Sequence, residues 1–303
     1  MEIINPSVEL WTEENVSATQ HIARCARVCY GHEGEGKDPQ KLVDGLMKFG
    51  HLSMLRHASR YFCYKDVDEW DPAKDFHICP YNTVVSFANG FPFRHQTIWL
   101  STNEQEFKLS KNFFYDTDGA QEMKLEDVLE NAKVHPELFD IVRLTFCLTT
   151  QIGTARELNR TSPNNIAERS TRYCKSGENI VICKPWWYDD DFMHELREGE
   201  DKSERERDIC KHLAYQHAMD SASHYYNQLL ELGMKPEDAR GAIPLDAATK
   251  VVYTYSVREW RHILDLRYYE KTGKAHPNAK LIMGMVRKEI NAFAEKNNIS
   301  ATV

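Results

Sequence analysis

The sequence predicts an α+β fold, with a mixed sheet and helices that cluster rather than alternate with strands. Three observations carry this. β-Branched and aromatic residues concentrate at 59–64, 141–150 and 249–255, as strands require. Between the last two, Cys210, Leu213, His217, Ser221, Tyr225, Leu229 and Leu232 form a stripe of helical period over about 204–232. Two further helical segments, 257–270 and about 277–297, then follow one another with no strand between them.

The remaining elements can be read in order. Ile22, Cys25, Ala26 and Cys29 recur at helical spacing, and Asp38-Pro39 supplies an N-cap and first residue for a helix that Gly50 ends. The runs 82–87 and 97–100 flank Asn89-Gly90-Phe91-Pro92, a turn-rich centre suited to joining two strands. Aromatic residues around them, among them Phe87, Trp99 and Phe113, suit a local mini-core, a subunit interface or a lid. Pro163 and the adjacent asparagines Asn164 and Asn165 break a helix begun near Gln151. Gly233 terminates the long helix, and Pro236 opens a short one whose first turn carries Glu237 and Asp238, where negative charge suits the helix dipole.

With 303 residues, 42% of them hydrophobic, the chain is long enough for a substantial core. A formal charge of −8 argues against a general nucleic-acid surface, while local arginine clusters suit a small anionic ligand. No apolar run approaches the roughly 18 residues of a membrane span and no signal peptide is recognised, so the expectation is a cytoplasmic protein. The eight cysteines are scattered through apolar segments and read as buried free thiols; the thirteen histidines show no HExxH spacing, so no metal is expected. There is no GxGxxG or P-loop.

The stretch 156–174, RELNRTSPNNIAERSTRYC, holds four arginines and two glutamates at spacings a packing helix does not need. Arginine suits planar, forked recognition of phosphate or carboxylate, and a loop between strand and helix is where such groups are displayed. From spacing alone, a solvated charged helix fits equally.

Arg156-Glu157-Leu158, Arg160 and then Ser170-Thr171-Arg172-Tyr173 resemble the signature of the flavin-dependent thymidylate synthases, an RHR triplet followed after seven residues by serine. Here the triplet is Arg160-Thr161-Ser162. Three further segments resemble the family in order: Gly50-His51-Leu52-Ser53 through Arg56-His57-Ala58-Ser59, Pro236 through Pro244, and Thr254 through Arg267, with Ser256 where asparagine is usual. Segments near 57, 156–173 and 237–267 must meet in one site, so residues 1–303 are expected to form a single domain with an insertion at about 66–140.

The resemblance implies a compact α+β domain acting as a homotetramer; no nucleic-acid or membrane partner is expected, from the charge and hydropathy above. It implies FAD as cofactor, dUMP as substrate, methylenetetrahydrofolate as carbon donor and NADPH as reductant. By the same resemblance, Arg267 is catalytic, its guanidinium stabilising the enolate that develops in the uracil ring. Glu157, Arg160, Glu168, Ser170, Arg172 and Arg240 would hold dUMP, and His57, Ser59, Arg160, Thr161, Ser162, Ser256 and His262 would approach the flavin. Each has a structural alternative. Arg267 can pair with Asp265 or Glu270, Glu157 and Glu168 with Arg156 or Arg172, and Ser170 can cap a turn, while a lone histidine is more often a core residue. Arg258 and Arg261 read as structural. Two other functions remain open: carbon-5 modification of another pyrimidine nucleotide, such as hydroxymethylation, prompted by Thr161, Ser162 and the insertion, and a non-catalytic nucleotide-binding homologue.

Overall fold

The computed structural model describes residues 2–31, 38–68, 79–89, 95–110, 119–161, 165–171, 180–195 and 201–303. Its centre is an antiparallel sheet in the order β2 (Ser7–Trp11), β7 (Arg143–Gln151), β10 (Ala248–Ser256), β8 (Ile166–Glu168). β7 is buried along nearly its whole length, polar Arg143, Thr145, Thr150 and Gln151 included. It pairs in register with β10 from Arg143↔Ser256 to Gln151↔Ala248, so Thr145 faces Thr254 and Phe146 faces Tyr253.

The two faces of this sheet differ. Leu144, Phe146, Leu148, Val251, Tyr253 and Tyr255 point into the main core against α8 (Val257–Arg267) and α9 (Pro277–Lys296). There Trp260 meets Phe146 edge-on at 5.1 Å and donates its indole N–H to the Leu144 carbonyl at 3.1 Å. The opposite face packs Cys147, Val252 and Ala167 on α1 (Ala18–Val28), and it also carries Arg143, Thr145 and Thr254.

A second antiparallel sheet runs β4 (Thr83–Asn89), β5 (His95–Asn103), β3 (Ser59–Asp68), β6 (Ala120–Met123). Three of its strands come from 66–140: β5 and β6 pair onto β3, and β4 pairs onto β5. One face, with Tyr61, Cys63, Val85 and Trp99, joins the main core together with α4 (Leu125–Val134). The other gathers Phe62, Tyr64, Val67, Val84, Ile98 and Leu100 with Phe107 of α3 (Glu104–Ser110) into a local mini-core. Period-two alternation of side chains produces both. A two-stranded parallel pair, β1 (Glu2–Ile4) with β9 (Val181–Cys183), completes the strands.

Helix signals were legible. α2 (Pro39–Lys48) is capped by Asp38, whose carboxylate accepts from the Gln40 N–H at 3.0 Å, and Gly50 adopts the positive φ of 72° that follows it. α5 (Ile152–Leu158) and α7 (Pro236–Ala239) also stand where breakers placed them. α6 (Lys202–Glu231), 30 residues and thus roughly 45 Å long, corrects one expectation. The helix forms, but of its stripe Cys210, Leu213, His217, Ser221, Tyr225 and Leu232 are exposed, and Leu229 packs inward. What it buries is the neighbouring line of His212, Tyr215, Met219, Ser223, Tyr226 and Leu230, whose polar members periodicity could not promote over leucine. Cys210 is likewise exposed, unlike the buried Cys25, Cys63, Cys79, Cys147 and Cys183. Among the described residues no helix is long and apolar enough to cross a membrane.

Candidate functional site

The site is built where β7 ends. α5 springs from that strand, and its first N–H groups donate outward: Ile152 to the Ala247 carbonyl at 3.0 Å and Gly153 to Leu245 at 2.9 Å. This sets residues 245–247, which follow Arg240 in the chain, against the start of the helix that carries Arg156 and Glu157.

At the other end of α5, Glu157 meets Arg267. Arg267 Nε lies 3.3 Å from Glu157 Oε1, the two side chains being 20% and 27% exposed. The angle falls short of a hydrogen bond, leaving this buried Nε without a hydrogen-bond partner. The same oxygen accepts from the His276 N–H at 3.4 Å, so one carboxylate ties α5 to the end of α8 and the start of α9. Asp265 and Glu270 are instead taken by Lys271 and Lys280, at 2.8 and 2.6 Å. Arg267 thus sits at the C-terminal turn of α8, favoured there by the dipole, with its guanidinium held by one partner on one side.

Glu168 lies half-buried on β8. Its oxygens accept from Asn159 Nδ2 and Thr249 Oγ1, both at 3.4 Å, and Asn159 Oδ1 accepts from the Tyr253 hydroxyl at 2.6 Å. Burial raises the Glu168 pKa, opposed by those two hydrogen bonds and by Arg156 through space. Next to it, the Ser170 N–H donates to the Cys29 carbonyl at 3.0 Å, anchoring the segment on the end of α1. Arg160 and Arg240 are exposed, and among the described residues neither is paired with a carboxylate. Arg172 and Ser162 lie outside the described residues. Five of the six residues expected to hold dUMP are described, and Glu157, Glu168 and Arg160 cluster at the end of α5.

The residues expected at the flavin are differently placed. Thr161 is 7% exposed and donates its hydroxyl back to the Leu158 carbonyl at 2.6 Å. It lines a small recess with Tyr253, Tyr255, Trp260, Ile263 and Met283 rather than facing outward. Ser59 gives its hydroxyl and its N–H to the Glu13 carboxylate. Ser256 is fully buried as the N-cap of α8, in a capping box with Glu259, and accepts from Thr83 at 2.8 Å. His57 is fully buried. Arg160 and His262 are exposed. With four of the six described side chains committed inside the chain, these residues do not by themselves form a flavin cradle. Of the nucleotide set, Glu157 meets Arg267 and Glu168 accepts from Asn159 and Thr249, while Arg160 and Arg240 are exposed.

His57 belongs to a chain of contacts that sequence reading missed. Its Nδ1 lies 2.8 Å from Thr254 Oγ1, which lies 2.8 Å from Thr145 Oγ1, which lies 3.0 Å from His21 Nε2. All four residues are buried. Asn159, Thr249 and Tyr253 were missed as well. No local motif marks any of these, because each contact closes over about 80 to 200 residues or depends on strand register. Arg258 and Arg261, read as structural, do both lie within 3.3 Å of Asp140.

The chain is similar to several known proteins. A flavin-dependent thymidylate synthase of Haloarcula marismortui is 29% identical over 93 residues, covering 31% of this chain and 37% of that protein. A probable flavin-dependent thymidylate synthase of Paramecium bursaria Chlorella virus 1 is 27% identical over 143 residues, 47% of this chain and 64% of that protein. The chain thus spans about a third to two thirds of the length of the curated relatives it matches. Among solved structures, the UMP/dUMP methylase PolB from Streptomyces cacaoi bound with 5-Br dUMP aligns over 97% of this chain and 93% of its own, at 16% identity and a TM-score of 0.42, a similarity too loose to bear on fold or function. The model of the thymidylate synthase complementing protein family matches residues 95–294, which include α5, β8, α7 and α8 with Glu157, Glu168, Arg240 and Arg267; the chain belongs to that family, the flavin-dependent thymidylate synthases.

Proposed function

We propose that this chain methylates carbon 5 of dUMP to give dTMP, taking the carbon from methylenetetrahydrofolate and reducing equivalents from NADPH through FAD, as a cytoplasmic homotetramer. The observation that carries the reading is the Arg267–Glu157 contact at the end of α5, together with half-buried Glu168, which accepts from Asn159 at the cap of the same helix. Adding carbon at position 5 pushes electron density onto the uracil oxygens. A guanidinium already held by a carboxylate stabilises that charge without rearranging or ionising, the condition under which preorganised electrostatics are effective. Glu168, held by neutral donors, is placed to accept from the uracil imide or a ribose hydroxyl. Exposed Arg160 and Arg240 supply positive charge for the phosphate. FAD, when bound, supplies the hydride. The inward-turned Thr161, Ser59 and Ser256 do not fit as contacts to that cofactor.

The test is the visible spectrum of the purified protein together with dUMP-dependent reoxidation of reduced FAD. Protein that binds no flavin and supports no such reoxidation refutes the reading. The inward turn of Thr161 favours a second reading, a nucleotide-binding homologue without flavin chemistry; dUMP binding measured calorimetrically in the absence of any flavin band distinguishes it. Product mass spectrometry with dUMP and dCMP separates both from modification of another pyrimidine nucleotide.

A further inference from the structure

Arg267 is the last residue of α8, and its contact with Glu157 does not hold the end of that helix in place. The Nε stands 3.3 Å from Glu157 without forming a hydrogen bond. Where the guanidinium sits therefore depends on how the backbone that follows is held. That backbone closes tightly: the N–H groups of Tyr268 and Tyr269 both donate to the Leu264 carbonyl, at 2.8 and 2.9 Å. Both tyrosine side chains then meet α9.

Tyr268 occupies a notch that glycine leaves open. A Cβ built on Gly284, inside α9, would stand 3.1 Å from Tyr268 Cε2 and 3.6 Å from Cδ2, so a methyl there has to displace the ring by a few tenths of an ångström. Glycine inside a helix costs about 1 kcal/mol relative to alanine, so the position gives up helix stability for this close approach. Three residues on, and on the same face of α9, Arg287 donates from Nε to the Tyr269 hydroxyl at 2.7 Å and to the Val303 carbonyl at 2.9 Å. Its guanidinium carbon lies 5.7 and 5.9 Å from the centres of the Tyr268 and Tyr269 rings, within cation–π reach. One face of α9 thus grips the two residues that directly follow Arg267.

We propose that Tyr268 and Tyr269, seated on Gly284 and Arg287, are positioning residues for Arg267: α9 fixes where α8 ends and with it where the guanidinium stands against Glu157. The effect on turnover rests on the proposed catalytic role of Arg267, but the seating itself does not. Glu157 is referenced to the same helix, since its carboxylate accepts from the N–H of His276, the N-cap of α9, at 3.4 Å. Both members of the Arg267–Glu157 contact are thus set by one rigid element, Glu157 by its start and Arg267 by its middle. A glycine serving helix packing alone would leave turnover untouched wherever the fold accepts alanine.

Gly284→Ala in the full-length protein tests this, because the added methyl favours the helix while it displaces the ring. A misplacement of about 1 Å can cost about a hundredfold, so a few tenths should lower kcat for dUMP methylation roughly fivefold, with KM little changed. The Tm should stay within about 2 °C of wild type. The methyl acts through the Tyr268 ring, so in a Tyr268→Ala background the same substitution should leave kcat where that background has it. Unchanged kcat in Gly284→Ala, or an equal loss with and without the ring, overturns the proposal. Should Gly284→Ala fail to fold, Tyr269→Phe removes the hydroxyl that Arg287 holds and should lower kcat severalfold at nearly unchanged Tm; wild-type turnover there overturns it as well. Nitrogen-15 NMR of the Arg267 Nε–H, assigned from the Arg267→Lys spectrum, reads the guanidinium without turnover. Its signal should shift in Gly284→Ala but not when the methyl is added to Tyr268→Ala, and an unmoved signal in Gly284→Ala overturns the seating. A shifted signal in a protein that does not methylate dUMP keeps the seating and refutes the functional reading.

Discussion

Replacing Arg267 by lysine separates charge from geometry at the centre of the site. Lysine keeps the positive charge but replaces the planar fork by a single rotating ammonium, so the 3.3 Å approach of Nε to Glu157 is lost. The stability cost is small. The pair is partly exposed and lacks hydrogen-bond geometry, which places it near the ~1 kcal/mol of a surface ion pair. For a chain of 303 residues, with an unfolding entropy of roughly 2.1 cal/mol/K per residue, that is a fall in Tm of under about 2 °C. The catalytic cost is larger, because removing one preorganised group from a developing oxyanion costs about 10²–10³ in kcat, or roughly 3–4 kcal/mol. Arg267→Lys should therefore lose about a hundredfold in kcat at nearly unchanged Tm, and Arg267→Ala should lose more. Steady-state dUMP methylation and calorimetric melting measure the two. Near wild-type turnover in the lysine variant would refute the argument that guanidinium geometry stabilises the transition state. A fall in Tm of about 6 °C or more would show that the pair is structural.

Other outcomes follow from the same geometry. Arg240→Ala should weaken dUMP binding by about 1.5–3 kcal/mol in titration calorimetry, as losing a hydrogen bond to a charged phosphate does; unchanged affinity removes Arg240 from the site. Thr161→His, which would restore the family's usual residue, should destabilise the fold by about 1–3 kcal/mol without tightening FAD, because Thr161 is buried beside Tyr253 and Trp260. Denaturant melts and flavin titration check both halves. The pKa of His57 is lowered to about 3 in the folded chain against the usual 6.5, so between those values the unfolded chain holds the proton. Its contribution is whole above pH 6.5 and is lost as pH falls, at up to ~1.4 kcal/mol per unit, with His21, also lowered by burial, adding to it. Stability measured from pH 7 down to 5 should fall more steeply in the wild type than in His57→Gln, and parallel curves contradict it. Tyr253→Phe, which frees Asn159 from a 2.6 Å hydrogen bond, should cost about 1 kcal/mol in denaturant melts and should raise the KM for dUMP; an unchanged KM disconnects Asn159 from Glu168 function.

Local chemistry made much of the fold legible. Asp38, Pro39 and Gly50 bounded α2, Pro236 opened α7, and the run from Arg143 onward was dense enough in buried residues to be a central strand. These signals act within a few residues, through φ preferences, capping hydrogen bonds and side-chain period, so they survive being read without a partner. The sequence likewise singled out 156–174 by the spacing of its arginines and carboxylates, and Arg267 by the resemblance of 254–267 to the family.

Which face of an element is buried is a different kind of fact. On α6 a stripe of leucine and tyrosine has the period of a core face, yet the buried line runs through His212, Tyr215 and Ser223 because the neighbouring segments supply partners there. Thr161, Ser59 and Ser256 read as ligand contacts, but each hydroxyl found a nearer acceptor or donor once the chain closed. The His57 series needed the β7–β10 register to bring Thr145 opposite Thr254, and a slip of one residue would have put them on different faces. Sequence alone determined the capped helices and the long strands, the order of the motifs and the chemical types available to the site, since these depend on residues adjacent in the chain. Tertiary structure alone decided which polar groups stay available and which satisfy one another, because a buried hydrogen bond is chosen by whatever the fold brings within 3 Å, at any distance along the chain.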